Sequence, residues 1–193
     1  MGSQWGYDKA YMRAKQEGYR SRAAYKLMEI QKKFSIIRPD DNVVDLGAAP
    51  GSWLQVLRTL TGGKIVGIDL NPIAEIEGVE TIEGDITDPE VLEQVRSMLG
   101  TVSVVVCDAA PKLSGHKSYD QARIIELDEQ ALAFACRILK RGGNFTIKSF
   151  QGTDFPELYS ATKEHFHSVK TMITHSSRKG STELYIVAKN FIG

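Results

Sequence analysis

The chain has 193 residues, is 42% hydrophobic and balances 24 Lys/Arg against 24 Asp/Glu. That length can bury a sizeable core, so one domain spanning 1–193 is expected. No apolar run reaches membrane-spanning length and no basic-then-apolar leader opens the sequence, so the reading is a soluble cytoplasmic protein with no membrane partner. The neutral total hides an asymmetry: residues 1–38 hold nine Lys/Arg and three acids, leaving the remainder acidic. Such an arm suits a polyanion partner, or is simply a solvated basic helix.

In chain order, Ser21 can cap a helix in which Ala23, Leu27, Ile30 and Phe34 make an apolar stripe. Arg22, Lys26, Glu29 and Lys33 form the opposite stripe, where Lys26 reads as a solvated lysine. From Val43 onward, β-branched runs (VVDL, KIVGIDL, VETIEG, VSVVVCD, NFTIKSF) alternate with helical stretches at 52–60, 89–99, 119–140 and 155–165. Alternation of this kind, with VSVVVCD apolar on both faces, predicts an α/β, doubly wound, mostly parallel sheet with helices on both faces. Arg141-Gly142-Gly143 is expected to close the longest helix. The last two runs, 169–175 and 183–190, are separated only by SSRKGST, too short for a parallel crossover, so they form a hairpin and the final strand runs antiparallel. Cys107 and Cys136 show no metal-ligand spacing and read as reduced, buried thiols. His116, His165, His167 and His175 are expected in loops or at helix ends, with no metal.

The stretch VVDLGAAPGSW has the form of a cofactor-binding turn. Gly47 and Gly51 remove side chains where backbone must bend or a ligand approach, and the next helix offers free N–H groups. The pattern lacks the central glycine of the dinucleotide fingerprint, which weakens the nicotinamide-oxidoreductase reading. Asp69 closes the second strand, where a carboxylate can take both hydroxyls of a ribose, and Asp85 follows the third. Acids at strand ends without a pyrophosphate glycine fit a nucleoside cofactor lacking phosphates, such as S-adenosyl-L-methionine. Each aspartate could instead cap the helix that follows it.

With these residues in view, the chain resembles the FtsJ family of RNA ribose 2′-O-methyltransferases over nearly its whole length, through GYRSRAAYKLMEI, VVDLGAAPGSW, CDAAPKLSG, GGNFTIKSFQG and SSRKGSTELYIVA in order. DAAP for DMAP, GSW for GGW and SFQG for VFQG are small departures. The resemblance implies a Rossmann-like fold ending in an antiparallel strand, and an S-adenosyl-L-methionine site including Asp45, Gly47, Gly51, Trp53, Asp69, Leu70, Asp85, Ile86 and Asp108. It also implies a catalytic set of Lys26, Asp108, Lys148 and Glu183. Independently, Asp108, Lys148 and Glu183 fall at one edge of the predicted sheet, and a lysine inside an apolar strand is costly unless paired. Lys26 rests on the resemblance alone.

In this reading Lys148 accepts or directs the 2′-OH proton, Lys26 lies close enough to depress its pKa, and Asp108 and Glu183 orient the amines and the ribose. The substrate is RNA, with a uridine of large-subunit ribosomal RNA, naked or in the assembled subunit, as the first choice. The transfer-RNA anticodon loop is the second, and a noncatalytic RNA-binding protein on the same fold a third. Arg13, Lys15, Arg20, Arg22, Lys32 and Lys33 are the candidate phosphate contacts, with Lys112, Lys117, Arg178 and Lys179 at the rim. A monomer is expected.

Overall fold

The computed structural model describes residues 9–111, 114–177 and 180–193. The elements are α1 (Lys9–Gln16), α2 (Ala23–Phe34), β1 (Val43–Leu46), α3 (Ser52–Leu60), β2 (Ile65–Asp69), β3 (Glu80–Glu83), α4 (Pro89–Leu99), β4 (Val102–Cys107), α5 (Lys117–Ile138), β5 (Leu139–Phe150), α6 (Phe155–His165), β6 (Phe166–Met172) and β7 (Glu183–Phe191). The seven strands form one sheet in the order β3-β2-β1-β4-β5-β7-β6. The first five pair in parallel. β7 inserts antiparallel between β5 and β6, as the short connection before it requires.

The period of two along each strand sorts the core into two layers. Val44, Leu46, Val66, Ile68, Val105 and Cys107 face α4, α5 and α6. Val43, Ile65, Val104, Val106, Tyr185 and Val187 face α2 and α3. Every residue of β4 is buried, the signature of a central parallel strand covered on both sides. The helix starting at Pro89 is capped by Asp88, whose side chain accepts the Glu90 N–H at 2.8 Å.

Several local expectations shift. Arg22, not Ser21, is the N-cap of α2; the Ser21 hydroxyl accepts the Ala23 N–H at 3.2 Å, one residue early. The longest helix ends at Ile138, and Arg141-Gly142-Gly143 lies within β5. Leu139 is buried and pairs with Val102, which draws the chain into the sheet before the glycines. The register then jumps to Val104 opposite Asn144, with Gly142 at φ +79° making the bulge. β6 begins at Phe166 because that ring packs against Phe145 and Phe191, at centroid distances of 6.1 and 5.3 Å. His167 therefore sits in a strand rather than a loop. α1 has no counterpart among the expected elements.

Asp128, on the inner face of α5, is 2% exposed, and burial pushes its carboxyl up to about 7, with the charge of Lys148 opposing the rise. An ordinary aspartate in the unfolded chain titrates near ~3.9. Between those values the folded state binds the extra proton, so this group's contribution to stability is present below about pH 4 and is lost as pH rises through about 7. Asp128→Asn is expected to flatten that decline, which urea midpoints for the two proteins at pH 5 and pH 7.5 would reveal.

Candidate active site

Four charged side chains converge beyond the carboxyl ends of β4 and β5. Lys148 lies opposite Tyr185 in the β5–β7 register, so both project on the α2 side, and Glu183, two residues before Tyr185, shares that face. α2 crosses above them and lowers Lys26 between the carboxylates. Lys26 Nζ lies 2.7 Å from Glu183 Oε1 and 3.9 Å from Asp108 Oδ1. Lys148 Nζ donates to the Asp108 main-chain oxygen at 2.5 Å and lies 3.4 Å from Asp108 Oδ1. Asp108 is thus the pivot between the two amines. The structure brings all four predicted residues together, and it overturns the solvated reading of Lys26, which is 7% exposed.

Two members of the cluster escaped the sequence reading. The Tyr185 hydroxyl donates to Asp108 Oδ1 at 2.6 Å, and its ring lies 5.8 Å from Lys26 Nζ. The Ser177 hydroxyl donates to Glu183 Oε1 at 2.7 Å. Tyr185 was recoverable from alternation, since the E-L-Y triplet puts its first and third residues on one face; Ser177, in the turn before β7, carries no such signal. Burial alone would raise Glu183, but hydrogen bonds from Lys26 and Ser177 and the charges of both lysines hold it below the usual carboxylate range.

Beside this cluster the turn between β1 and α3 opens a backbone cradle. Gly47 has φ +68°, and a Cβ there would meet the Ala109 Cβ at 2.4 Å, so only glycine fits. Asp45, 1% exposed at the end of β1, has neither carboxylate oxygen partnered among the described residues. Burial, with Asp108 and Asp69 nearby, pushes its pKa well above the ordinary range. A buried acceptor of this kind fits a ligand that brings its own donor, such as the ammonium of an amino acid.

Asp69 accepts from Ala49 N at 2.9 Å and from the backbone and side-chain nitrogens of Asn71 at 2.8 and 2.9 Å. Three of a carboxylate's roughly four acceptor positions are therefore filled, leaving room for one ribose hydroxyl rather than two. Asp85 takes both Thr87 donors on Oδ1, which lowers its pKa, and among the described residues Oδ2 has no bond. Neither aspartate caps a helix. Leu70, 69% exposed, stands at the rim, and Ile86 packs partly into the core. Trp53 is 3% exposed: its indole N–H donates to Ala23 O at 2.8 Å and its ring lies 6.0 Å from Tyr185. Its side chain fastens α2 to α3.

The basic residues separate into two groups. Arg13, Lys15, Lys32 and Lys33 are exposed, whereas Arg20 and Arg22 are half-buried. Arg20 corrects the expectation of a phosphate contact. Its guanidinium donates to the carbonyls of Pro50, Ala74 and Glu75 at 2.7, 2.8 and 3.0 Å, bracing the β1–α3 turn against the loop after β2. Lys112, Arg178 and Lys179 lie outside the described residues, as does the side chain of Lys117.

A parallel sheet with one reversed strand, a glycine turn after β1 and acids at successive strand ends define a Rossmann-like methyltransferase. The chain belongs to the FtsJ-like methyltransferase family, whose model matches residues 19–191. It is 71% identical to the ribosomal RNA large subunit methyltransferase E of Methanoregula boonei over the full length of both chains. To the protein of the same name from Methanosphaerula palustris it is 67% identical, over all of this chain and 95% of the relative. A Plasmodium falciparum structure described as a ribosomal RNA methyltransferase superposes with a TM-score of 0.82 at 30% identity, covering 91% of this chain and 100% of the other. Among the described residues no helix is long and apolar enough to cross a membrane.

Proposed function

We propose that the protein methylates a ribose 2′-hydroxyl of RNA, with S-adenosyl-L-methionine as donor and a uridine of large-subunit ribosomal RNA as target. The observation that carries this reading is the Lys26–Asp108–Lys148–Glu183 cluster set beside a cradle with an unpartnered buried Asp45. The names of the relatives support the choice of ribosomal RNA.

Asp45 would hold the donor's ammonium, Gly47 and Gly51 would let it approach the backbone, and Asp69, Asp85, Leu70 and Ile86 would line its nucleoside end. When bound, it would supply an electrophilic methyl group on a sulfonium, with a thioether as its leaving group. Lys148 accepts or directs the 2′-hydroxyl proton at Nζ, within reach of the position that Asp108 fixes. Lys26 and Glu183, held against each other, orient the ribose, and much of the acceleration comes from this positioning. Residues 39–193 act as the transfer core and 1–38 as the RNA-gripping arm of one cytoplasmic monomer.

The test is transfer of labelled methyl from S-adenosyl-L-methionine to ribosomal subunits and to bulk transfer RNA from cells lacking the enzyme. Label is expected in one 2′-O-methylated nucleotide of large-subunit RNA. Label confined to transfer RNA would replace the substrate, and label in neither would overturn the reading.

A further inference from the structure

Beside the catalytic cluster lies a groove of about 530 Å³, lined by Arg13, Tyr25, Met28, Glu29, Lys32, His175 and Ser176. Four of these, Tyr25, Met28, Glu29 and Lys32, fall at i, i+3, i+4 and i+7 along α2 and so form one stripe of that helix. Both walls continue elements that hold catalytic candidates. Glu29 is one turn beyond Lys26, and the segment 175–177 leads to Ser177, the partner of Glu183. Glu29 ties the walls together by accepting from His175 N at 2.7 Å, from Ser176 N at 3.0 Å and from the Ser176 hydroxyl.

The groove's one acid is thus already occupied by three donors, while its cations are presented outward. Lys32 is exposed and has neither ion pair nor hydrogen bond among the described residues. Arg13 is placed deliberately by Glu17, which takes the Arg13 Nε at 2.7 Å with one oxygen and the Tyr25 hydroxyl at 2.8 Å with the other. The guanidinium carbon consequently lies over the Tyr25 ring, 4.9 Å from its centre. An exposed arginine usually wanders; this one is held at two points, with a planar cation offered over an aromatic support.

We propose that this groove receives the nucleotide next to the methylated ribose, its base against the Arg13 guanidinium and Met28 and its phosphate at Lys32 and His175. The inference rests on the RNA-methyltransferase reading and adds a subsite to it. Unstacked bases of single-stranded RNA are held on aromatic and guanidinium planes, and phosphates by lysine, which is the chemistry these side chains supply.

The experiment measures binding of a single-stranded RNA oligonucleotide across a salt series, and steady-state methyl transfer to the same RNA, for wild type, Lys32→Ala, Arg13→Ala and Lys163→Ala. Lys163 is an exposed lysine of α6, on the other face of the sheet, and controls for net charge. Lys32→Ala and Arg13→Ala are each expected to weaken RNA binding and raise the RNA KM about tenfold. The cofactor KM and kcat should stay the same. For Lys32→Ala the slope of log affinity against log salt should shrink by about 0.7, the loss of one phosphate contact on a single strand. Lys163→Ala should match wild type. Wild-type affinity and slope in both groove variants, or an equal loss in Lys163→Ala, overturns the groove while leaving methyl transfer standing. Groove-dependent RNA binding without methyl transfer overturns the catalytic reading and keeps the subsite.

Discussion

Replacing Lys148 by Ala is expected to lower the single-turnover rate of methyl transfer about 10²–10⁴-fold, the range for removal of a positioned acid–base group. The fold should survive, because the neighbour left behind keeps a partner: Asp108 Oδ1 still accepts the Tyr185 hydroxyl at 2.6 Å. Cofactor affinity should change little, since the cradle around Asp45 and Gly47 is built from β1 and the turn after it. The more informative variant is Lys148→Arg. A guanidinium keeps charge and donors but does not give up its proton in proteins. If Nζ accepts the 2′-hydroxyl proton, Arg should be as inactive as Ala; a rate within tenfold of wild type would show that Lys148 only positions the ribose. Thermal unfolding of both variants, read beside the rates, separates lost chemistry from lost structure.

Where the sequence was legible, a period or a spacing carried the information. The run VSVVVCD, apolar on both faces, marks β4 as a strand covered on both sides, and the short SSRKGST connection forces β7 to reverse. Lys148 was recognisable because an ionisable group within an apolar strand demands partners, which Asp108 supplies. The failures have a common physical origin. Lys26 sits on a stripe that looks solvated in isolation, and only the tertiary crossing of α2 over the ends of β4 and β7 buries it. Arg20 looks like a phosphate contact by composition, yet its donors close a three-carbonyl bridge to residues as distant as Glu75, which no local pattern encodes. Gly142 reads as a helix stop, but Leu139 can reach Val102 and the sheet captures the chain first. In each case a long-range contact outweighed a local preference; those of Lys26 and Arg20 lie where the catalytic candidates and the cradle are assembled, whereas Leu139 meets Val102 at the opposite end of the sheet.

Lys26→Ala is expected to destabilise the protein by about 3–5 kcal/mol at pH 7, because it strands Glu183, whose side chain is 12% exposed, with the Ser177 hydroxyl as its one remaining direct partner among the described residues. The deficit should depend on pH with a definite sign. In wild type Glu183 titrates below its usual value, so its contribution to stability is present above the unfolded pKa of about 4.3 and is lost as pH falls through the lower folded value. Without Lys26, burial still raises the carboxyl while its main opposing partner is gone, so acid neutralises the stranded charge. The gap between variant and wild type should therefore narrow from pH 7 to pH 4 in urea titrations. The double variant Lys26→Met/Glu183→Gln removes both charges and keeps most of the volume, and should recover the larger part of the lost stability. It should not recover methyl transfer if the ion pair orients the ribose as proposed. Recovery of both stability and rate would reduce Lys26 and Glu183 to a structural bridge between α2 and β7, whereas recovery of stability alone assigns the pair to the reaction.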